Sequence, residues 1–395
     1  MRRCLFWIEI SYTSVVDRRV AVAVDASRSY GRGLMLGIGD FIERRGGWST
    51  YVELHADGRY DPGWLRGWTG DGVLAYLEDP VLARRLARSG LPIVELFGHH
   101  LDLGLPVVGN DDEAIGRLAA EHLRERGLRR FAFGGYDGEA WVERRFRGFA
   151  EALPGFPAPS RVTVDRSPGI PARWERDQAR LRDWIRGLPS PCGLLACSDR
   201  LAQRVLDACR RAGRRVPDEI AVLGVDDDPS LCRLGDPSLS SIRDDPRRIG
   251  YEAARLLDRL MRRRPRRLPA PLLIPPLGVS ARRSTDVAAV DDPVVAVAMK
   301  SIRARACEGL RVEDLLGEAH LSRAAFYRRF SAALGRTPHE ELRRRRLERV
   351  KELLRETRLT LEEIAARTGF EHPEYLSASF KRETGRTPGD FRRRG

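Results

Sequence analysis

The chain has 395 residues, of which 42% are hydrophobic and 32% charged, with a formal net charge of +14. That length and apolar content fit two or three domains with packed cores and exclude a largely disordered chain; no apolar run approaches the ~18 residues of a membrane span. The basic excess fits a polyanionic partner such as nucleic acid. However, only Lys300, Lys351 and Lys381 are lysines. GC-rich coding also produces such an arginine bias, so charge alone does not identify the partner.

Residues 1–19 join a basic end to a short apolar patch, but Glu9 and the polar run after it do not suit a signal peptide. They are expected to be an N-terminal extension, disordered or outside the true reading frame. Cys4, Cys192, Cys197, Cys209, Cys232 and Cys307 form no CxxC pair and no Cys/His ligand spacing, which reads as reduced thiols in a cytoplasmic protein.

From residue 20 to 284, short apolar runs alternate with helical stretches. Strands are expected at 20–24 (VAVAV), 72–76, 92–97, 130–133, 193–197 and 220–225. Helices are expected at 34–42, 80–89, 113–126, 143–153, 176–187 and 200–213. Buried strands alternating with helices imply parallel sheets covered on both faces, and this length suggests two such sheets with a cleft between them. A helix over 246–264 and the run 270–280 close the region. The polar stretch around 285–293 reads as a linker, and residues 294–395 read as all helix.

The C-terminal part repeats itself. Phe330, Gly335, Arg336, Thr337 and Pro338 recur as Phe380, Gly385, Arg386, Thr387 and Pro388, at a constant offset of 50 residues. Each copy has helix-turn-helix features, near 312–330 and 361–380. In the first, Val312, Leu315, Leu316 and Ala319 share a helix face, and Ser322 suits the N-cap of the next helix. In the second, Thr360 and Glu363 form a capping box, Gly369 ends the helix and Pro373 opens the next. Between the copies, Thr337 and Glu340 predict another capping box and a helix reaching about Glu356. At 1.5 Å per residue it is roughly 28 Å long, against about 34 Å between successive major-groove faces.

Base reading is expected from positions early in each second helix: Arg323, Ala324, Tyr327 and Arg328, then Glu374, Tyr375 and Ala378; Lys381, further along, is expected to contact DNA at phosphate. Arg328 suits a guanine edge and Glu374 a cytosine amine. The clustered arginines 328–329, 343–346, 349, 355, 358, 382, 386 and 392–394 suit either phosphate contacts or solvated helix faces.

The run EEIAARTGFEHPEYLSASFKRETGRTPGDFR (362–392) resembles the signature of the AraC/XylS family of regulators. The first unit departs from it: His320 stands where that family usually has glycine, and Leu316 where it has a small alanine. The segments VGNDDEAIGRLAAEHLRERGLRRFAF (108–133), RRFRGFAEAL (144–153), GLLACSDRLAQRVLDACRRAGRRVPDEIAVLGVDD (193–227) and PSLSSIRDDPRRIGYEAARLLDRL (237–260) resemble LacI-type sensors. Together they resemble the xylose-responsive branch of the AraC/XylS family. The resemblance implies a two-lobed α/β type I periplasmic-binding-protein-like sensor domain followed by an all-α AraC-type double helix-turn-helix domain. It further implies a homodimer, D-xylose or a similar sugar as effector and double-stranded DNA as target, with RNA polymerase as partner of an activator; a repressor or dual regulator answering to a different sugar is the alternative.

A sugar needs planar polar groups for its hydroxyls and an aromatic face for its C–H side. Asp199 and Asp226 follow buried strands, where α/β sheets bind ligands. The LacI-type resemblance places both on sugar hydroxyls and makes Arg145 an effector contact. Trp141, one helical turn earlier, is the candidate stacking face, and Ser27, Tyr30 and Arg32 are candidates for the opposite wall. Structural readings stand beside these: Asp199 as a helix cap, Arg145 as an ion-pair partner, Trp141 as core, and Asp111 as the cap of the helix from Glu113. Asp227 and Asp228 replace the usual asparagine–acid pair beside Asp226, which bears on the choice of sugar.

An enzyme has little support. Gly31-Arg32-Gly33 is a fragment of a dinucleotide fingerprint, and no P-loop, HExxH or GxSxG occurs. The histidines are scattered, and His99–His100 reads as an exposed turn pair. No cofactor or metal is implied.

Overall fold

A computed structural model describes residues 18–52, 62–99, 101, 103–166, 171–263, 267, 269–287 and 292–394. The extension up to residue 17, His100 and residues 288–291 of the expected linker lie outside these.

The first lobe is built from β1 (Arg18–Ala23), α1 (Ser29–Arg45), β2 (Trp48–Val52), β3 (Gly72–Ala75), α2 (Pro80–Ala87), β4 (Ile93–Glu95) and β5 (Val108–Asn110). Its sheet runs β2-β1-β3-β4, all parallel, and a bridge from Glu95 to Val107 continues it towards β5. The sheet starts two residues earlier than expected, because Arg18 and Arg19 already pair with Trp48 and Ser49.

The second lobe contains α3 (Asp112–Arg124), β6 (Phe131–Tyr136), α4 (Ala140–Glu151), β7 (Ser160–Val164), α5 (Pro171–Arg186), β8 (Cys192–Ala196), α6 (Asp199–Arg211), β9 (Ile220–Val225), α7 (Pro229–Leu234) and β10 (Ser240–Arg243). The chain then returns to the first lobe for α8 (Pro246–Arg262) and β11 (Leu272–Ile274), which pairs with β5. It crosses once more to β12 (Gly278–Ser280), the antiparallel edge of the order β12-β10-β9-β8-β6-β7. Three crossings therefore join the lobes, and the carboxyl ends of both sheets face the gap between them.

The strands form because short, uncharged, largely apolar runs are buried on both faces: β6, β8 and β9 are buried at every position. Each lobe also holds a tight helix crossing. A methyl group on Gly37 of α1 would sit 1.9 Å from the Arg247 carbonyl oxygen of α8. One on Gly148 of α4 would sit 2.1 Å from the Glu113 carbonyl oxygen of α3. The second crossing fixes α4, the helix that carries Trp141 and Arg145.

The expected linker starts inside the sensor. Ser284 and Thr285 are fully buried, Val287 belongs to the second-lobe core, and Ser284 Oγ donates to the Val222 carbonyl. On the far side, Asp292 caps α9 (Pro293–Arg305) by accepting from Val294 and Val295 N–H. Then come α10 (Val312–Ala319), α11 (Arg323–Leu334), α12 (Pro338–Glu356), α13 (Leu361–Thr368), α14 (Pro373–Thr384) and α15 (Pro388–Arg394). Two separate cores result. Leu342 of α12 packs with α9–α11, whereas Leu347, Val350, Leu353 and Leu354 pack with α13 and α14.

Gly148→Ala is expected to lower sensor stability by about 1–3 kcal/mol through overpacking. Urea unfolding followed by tryptophan fluorescence measures it, since all seven tryptophans precede residue 185.

Candidate functional site

A cleft of about 760 Å³ lies between the lobes. Strand ends supply much of its wall: Tyr76 follows β3, Phe97 follows β4, Asn110 ends β5, Tyr136 ends β6, Ser198 follows β8 and Asp226 follows β9. Of the expected residues, Ser27, Tyr30, Arg32, Trp141, Arg145 and Asp226 all line it.

Several of them are already engaged. Tyr30 donates its hydroxyl to the Leu96 carbonyl at 3.0 Å, so it offers a ring rather than a polar group. Ser27 Oγ donates to Asp25, and Arg32 donates to the carbonyls of Ala26 and Ser27. Trp141 stands beside Phe97 and Tyr136 with its Nε1 donating to Glu139. Arg145 is 2% exposed, lies 4.9 Å from the Trp141 ring centroid, and donates to Asp112 Oδ1 at 2.8 Å and to the Cys197 carbonyl. It is thus both cleft wall and ion-pair partner. Burial pushes the Asp112 carboxyl up, although Arg145 and Arg144 pull it down.

Asp199 does not reach the cleft. It is fully buried and accepts from Ser241 Oγ at 2.6 Å, the Asp228 N–H at 2.8 Å and the Cys232 thiol at 3.4 Å. Nor is it the helix cap, which is Ser198. Its carboxylate holds the turn after β9 from below, where Asp226 and Asp227 have φ of 110° and 50°, conformations uncommon for non-glycine residues and typical of functional turns. Asp111, by contrast, does cap α3. Burial pushes the Asp226 carboxyl up to about 7 against the pull of Arg145. Asp199 and Asp244 are raised by burial and then by the charge of Asp226.

Sequence reasoning missed part of the site. Asn110 Oδ1, in the cleft wall, has no hydrogen-bond partner among the described residues, which suits a ligand hydroxyl, and Asp244 Oδ2, buried beside the Asn110 side chain, has none either. Both stand at strand ends, so the rule that found Asp226 reaches them too. A clamp between the lobes was also missed. Arg166 pairs with Glu78 and with Glu139, Arg144 donates to the Gly98 carbonyl at 2.6 Å, and His99 lies 3.4 Å from Glu139. His99 is buried against Phe97 and Tyr76, not exposed on a turn, because its ring extends this aromatic wall.

In the C-terminal part, Arg323, Ala324 and Arg328 of α11 are exposed and Tyr327 is half-buried, while Phe326 and Phe330 face the core. Glu374, Tyr375, Ala378 and Lys381 form one exposed face of α14, opposite the buried Leu376, Ser379 and Phe380. Arg323 is shared with Glu313. The arginine run on α12 is largely internal. Arg344 and Arg345 pair with the fully buried Glu341, and Arg346 donates to the carbonyls of Ala306 and Leu310 at 2.8 Å each. Arg329 pairs with Asp292, Arg349 with Glu352, and Arg392 donates to the Leu359 carbonyl. Arg328, Arg358, Lys381, Arg382 and Arg386 remain exposed.

Three family matches cover these parts: the XylR N-terminal domain over residues 19–103, the periplasmic binding protein-like domain over 120–285, and the helix-turn-helix domain over 315–394. The xylose operon regulatory protein of Escherichia coli (strain K12) is 32% identical over 95% of this chain and 96% of its own length. The chain belongs to the xylose operon regulatory protein family. The Haemophilus influenzae member is 30% identical over 95% of this chain and 98% of its own. A solved structure of the xylose-binding transcription activator XylR superposes with a TM-score of 0.65 at 30% identity, covering 95% of this chain and 98% of that one. This chain is accordingly a DNA-binding transcription regulator. Among its described residues, no helix is long and apolar enough to cross a membrane.

The first helix-turn-helix carries a local strain. His320, where the AraC/XylS pattern usually has glycine, ends α10 in the left-handed conformation with φ of 50°; Gly369 does the same for α13 with φ of 72°. His320→Gly is expected to stabilise the first unit by about 1 kcal/mol or less, as relief of the left-handed strain outweighs the added chain entropy. Slower amide exchange across α10 and α11 is the expected readout.

Proposed function

We propose that this regulator binds a pentose, D-xylose or a close relative, in the interlobe cleft. Binding then changes how its two helix-turn-helix units hold double-stranded DNA. The observation that carries the reading is the juxtaposition, in one cleft, of the Asp226 carboxyl and the unpartnered Asn110 Oδ1 at strand ends with the Trp141–Arg145 wall of α4. Carboxylate and amide oxygens accept hydrogen bonds from sugar hydroxyls, and the indole face covers sugar C–H groups. Asp199 acts by positioning the turn. The similarity to the Escherichia coli xylose operon regulatory protein and to the solved xylose-binding transcription activator supports the pentose and an activating role. The regulator then works in the cytoplasm as a homodimer, with RNA polymerase as its partner at the promoter. Base reading falls to the exposed faces of α11 and α14, at Arg323, Ala324, Tyr327 and Arg328 and at Glu374, Tyr375 and Ala378, with Lys381 further along α14 on the phosphate backbone.

Calorimetric titration of the full chain with a panel of pentoses, hexoses and sugar acids should show D-xylose binding well above the rest. A panel in which no sugar binds would overturn the sensor assignment, and a different winner would reassign the effector. Asp226→Ala should abolish sugar binding while leaving DNA binding without sugar intact in a gel shift.

The ionised Asp226 is the better acceptor, and burial pushes its carboxyl up to about 7. Sugar affinity should therefore rise as pH climbs through about 7 and fall below it. Titrations in buffers of different ionisation enthalpy would show proton release on binding.

Glu374→Ala should cost about 1–3 kcal/mol of discrimination at one base pair. Lys381→Ala should weaken all sequences alike and reduce the salt slope by about one. Competition binding across salt concentrations separates the two.

A further inference from the structure

The turn that presents Asp226 is not isolated from the DNA-binding part. The next residue, Asp227, pairs with Arg282 at 2.7 Å and accepts from Ser280 Oγ at 2.7 Å. The Arg282 N–H donates to Ser240 Oγ at 2.7 Å, and Ser240 Oγ donates back to the Arg282 carbonyl at 2.9 Å. Ser240 Oγ accepts from Thr285 Oγ1 at 2.8 Å. That direction of bonding leaves Thr285 Oγ1 to accept from His122 Nε2 at 3.0 Å, while His122 Nδ1 accepts from Arg126 at 3.1 Å. Arg126 Nε also donates to the Thr285 carbonyl at 2.8 Å. Each hydroxyl in the series thus has a defined donor and acceptor role, and Ser240, Ser284 and Thr285 are fully buried.

The series ends on the DNA-binding helices. Asp286, the next residue, forms an ion pair with Arg345 of α12 and offers its carbonyl to Arg303 of α9 at 2.9 Å. Arg303 also reaches Asp218 of the sensor at 3.3 Å. Arg345 is shared with Glu341 and Glu348, so a displacement of Asp286 redistributes its bonds along the helix that enters both C-terminal cores.

We propose that residues 282–287 are the strap that couples occupancy of the Asp226–Asp227 turn to α12, with Thr285 and Asp286 as its positioning residues. The turn is held in an uncommon backbone conformation, and a ligand that shifts it moves the Asp227 carboxylate. Arg282, Ser240 and Thr285 then move together, because none can leave its partners without stranding a buried polar group. A coupling of this kind requires an element with two arrangements that both ends bias, and the Arg345 carboxylate choice is that element.

The proposal rests on the sugar reading above, and the test separates the two. Amide hydrogen exchange of α12 is measured in the full chain with and without D-xylose, for wild type, Thr285→Val and Asp286→Asn. The partly exposed Asp286 provides a variant if the buried Thr285→Val fails to fold. Both variants should bind D-xylose within about two-fold of wild type, yet lose at least about five-fold of the sugar-dependent change in α12, within the range of ordinary allosteric couplings. A full α12 response in both variants would overturn the strap while leaving the sugar site standing. If wild type binds no D-xylose, the choice of D-xylose as effector fails and the ligand-free comparison decides the strap. Asp227→Asn should then alter α12 exchange in the wild-type background and not beside Thr285→Val; equal effects in both backgrounds would overturn it.

Discussion

A carboxylate with no exposure to solvent sits beneath the turn that follows β9. Asp199 accepts from a serine, a backbone N–H and a thiol, and those donors come from β10, the turn itself and α7. Burying such a group is costly unless it is fully bonded. Its bonding requirement therefore organises three elements around one point. The direction in which Asp226 faces the cleft, and the contact of Asp227 with Arg282, both follow from where Asp199 holds the backbone. The cleft wall and the route out of it share one foundation.

The C-terminal part solves a different problem. Its two units do not share a core; they share a helix. Leu342 serves one core and Leu347 onward the other, so the spacing of the units is set by the rigidity of α12. Glu341 strengthens that helix near its start by gathering Arg336, Arg344 and Arg345. The first unit is locked to α12 by Arg346 reaching back to Ala306 and Leu310. The sensor grips the same helix through Asp286.

Much of this was legible in the residues. Runs such as IAVLGV are strands because nothing polar interrupts them, and the capping boxes at Thr337 and Thr360 are local chemistry that formed as the spacing required. The cleft followed from the rule that ligands bind at strand ends. Other features were not legible. β2 is an edge strand with four of its five residues exposed, and β11 and β12 span three residues each, so none shows a burial pattern. Asp199 looked like a ligand because its distinction from Asp226 lies in Ser241 and Cys232, over thirty residues away. The Arg166–Glu78 clamp spans 88 positions and has no local signature. The linker looked polar because its serine and threonine are bonded inward, and composition does not tell a buried hydroxyl from a solvated one.

The arginine run on α12 has a consequence for how the protein meets DNA. Binding to a duplex draws much of its free energy from the release of condensed counterions, one for each phosphate that a free cation neutralises. A guanidinium committed to a buried glutamate or a carbonyl brings no such release. Arg344, Arg345 and Arg346 are spent on shape rather than on charge, so the ionic-strength sensitivity of the complex will be milder than seventy basic residues suggest. The long helix behaves as a girder in a basic sheath, and the electrostatic grip is concentrated at the few side chains left free near the reading heads.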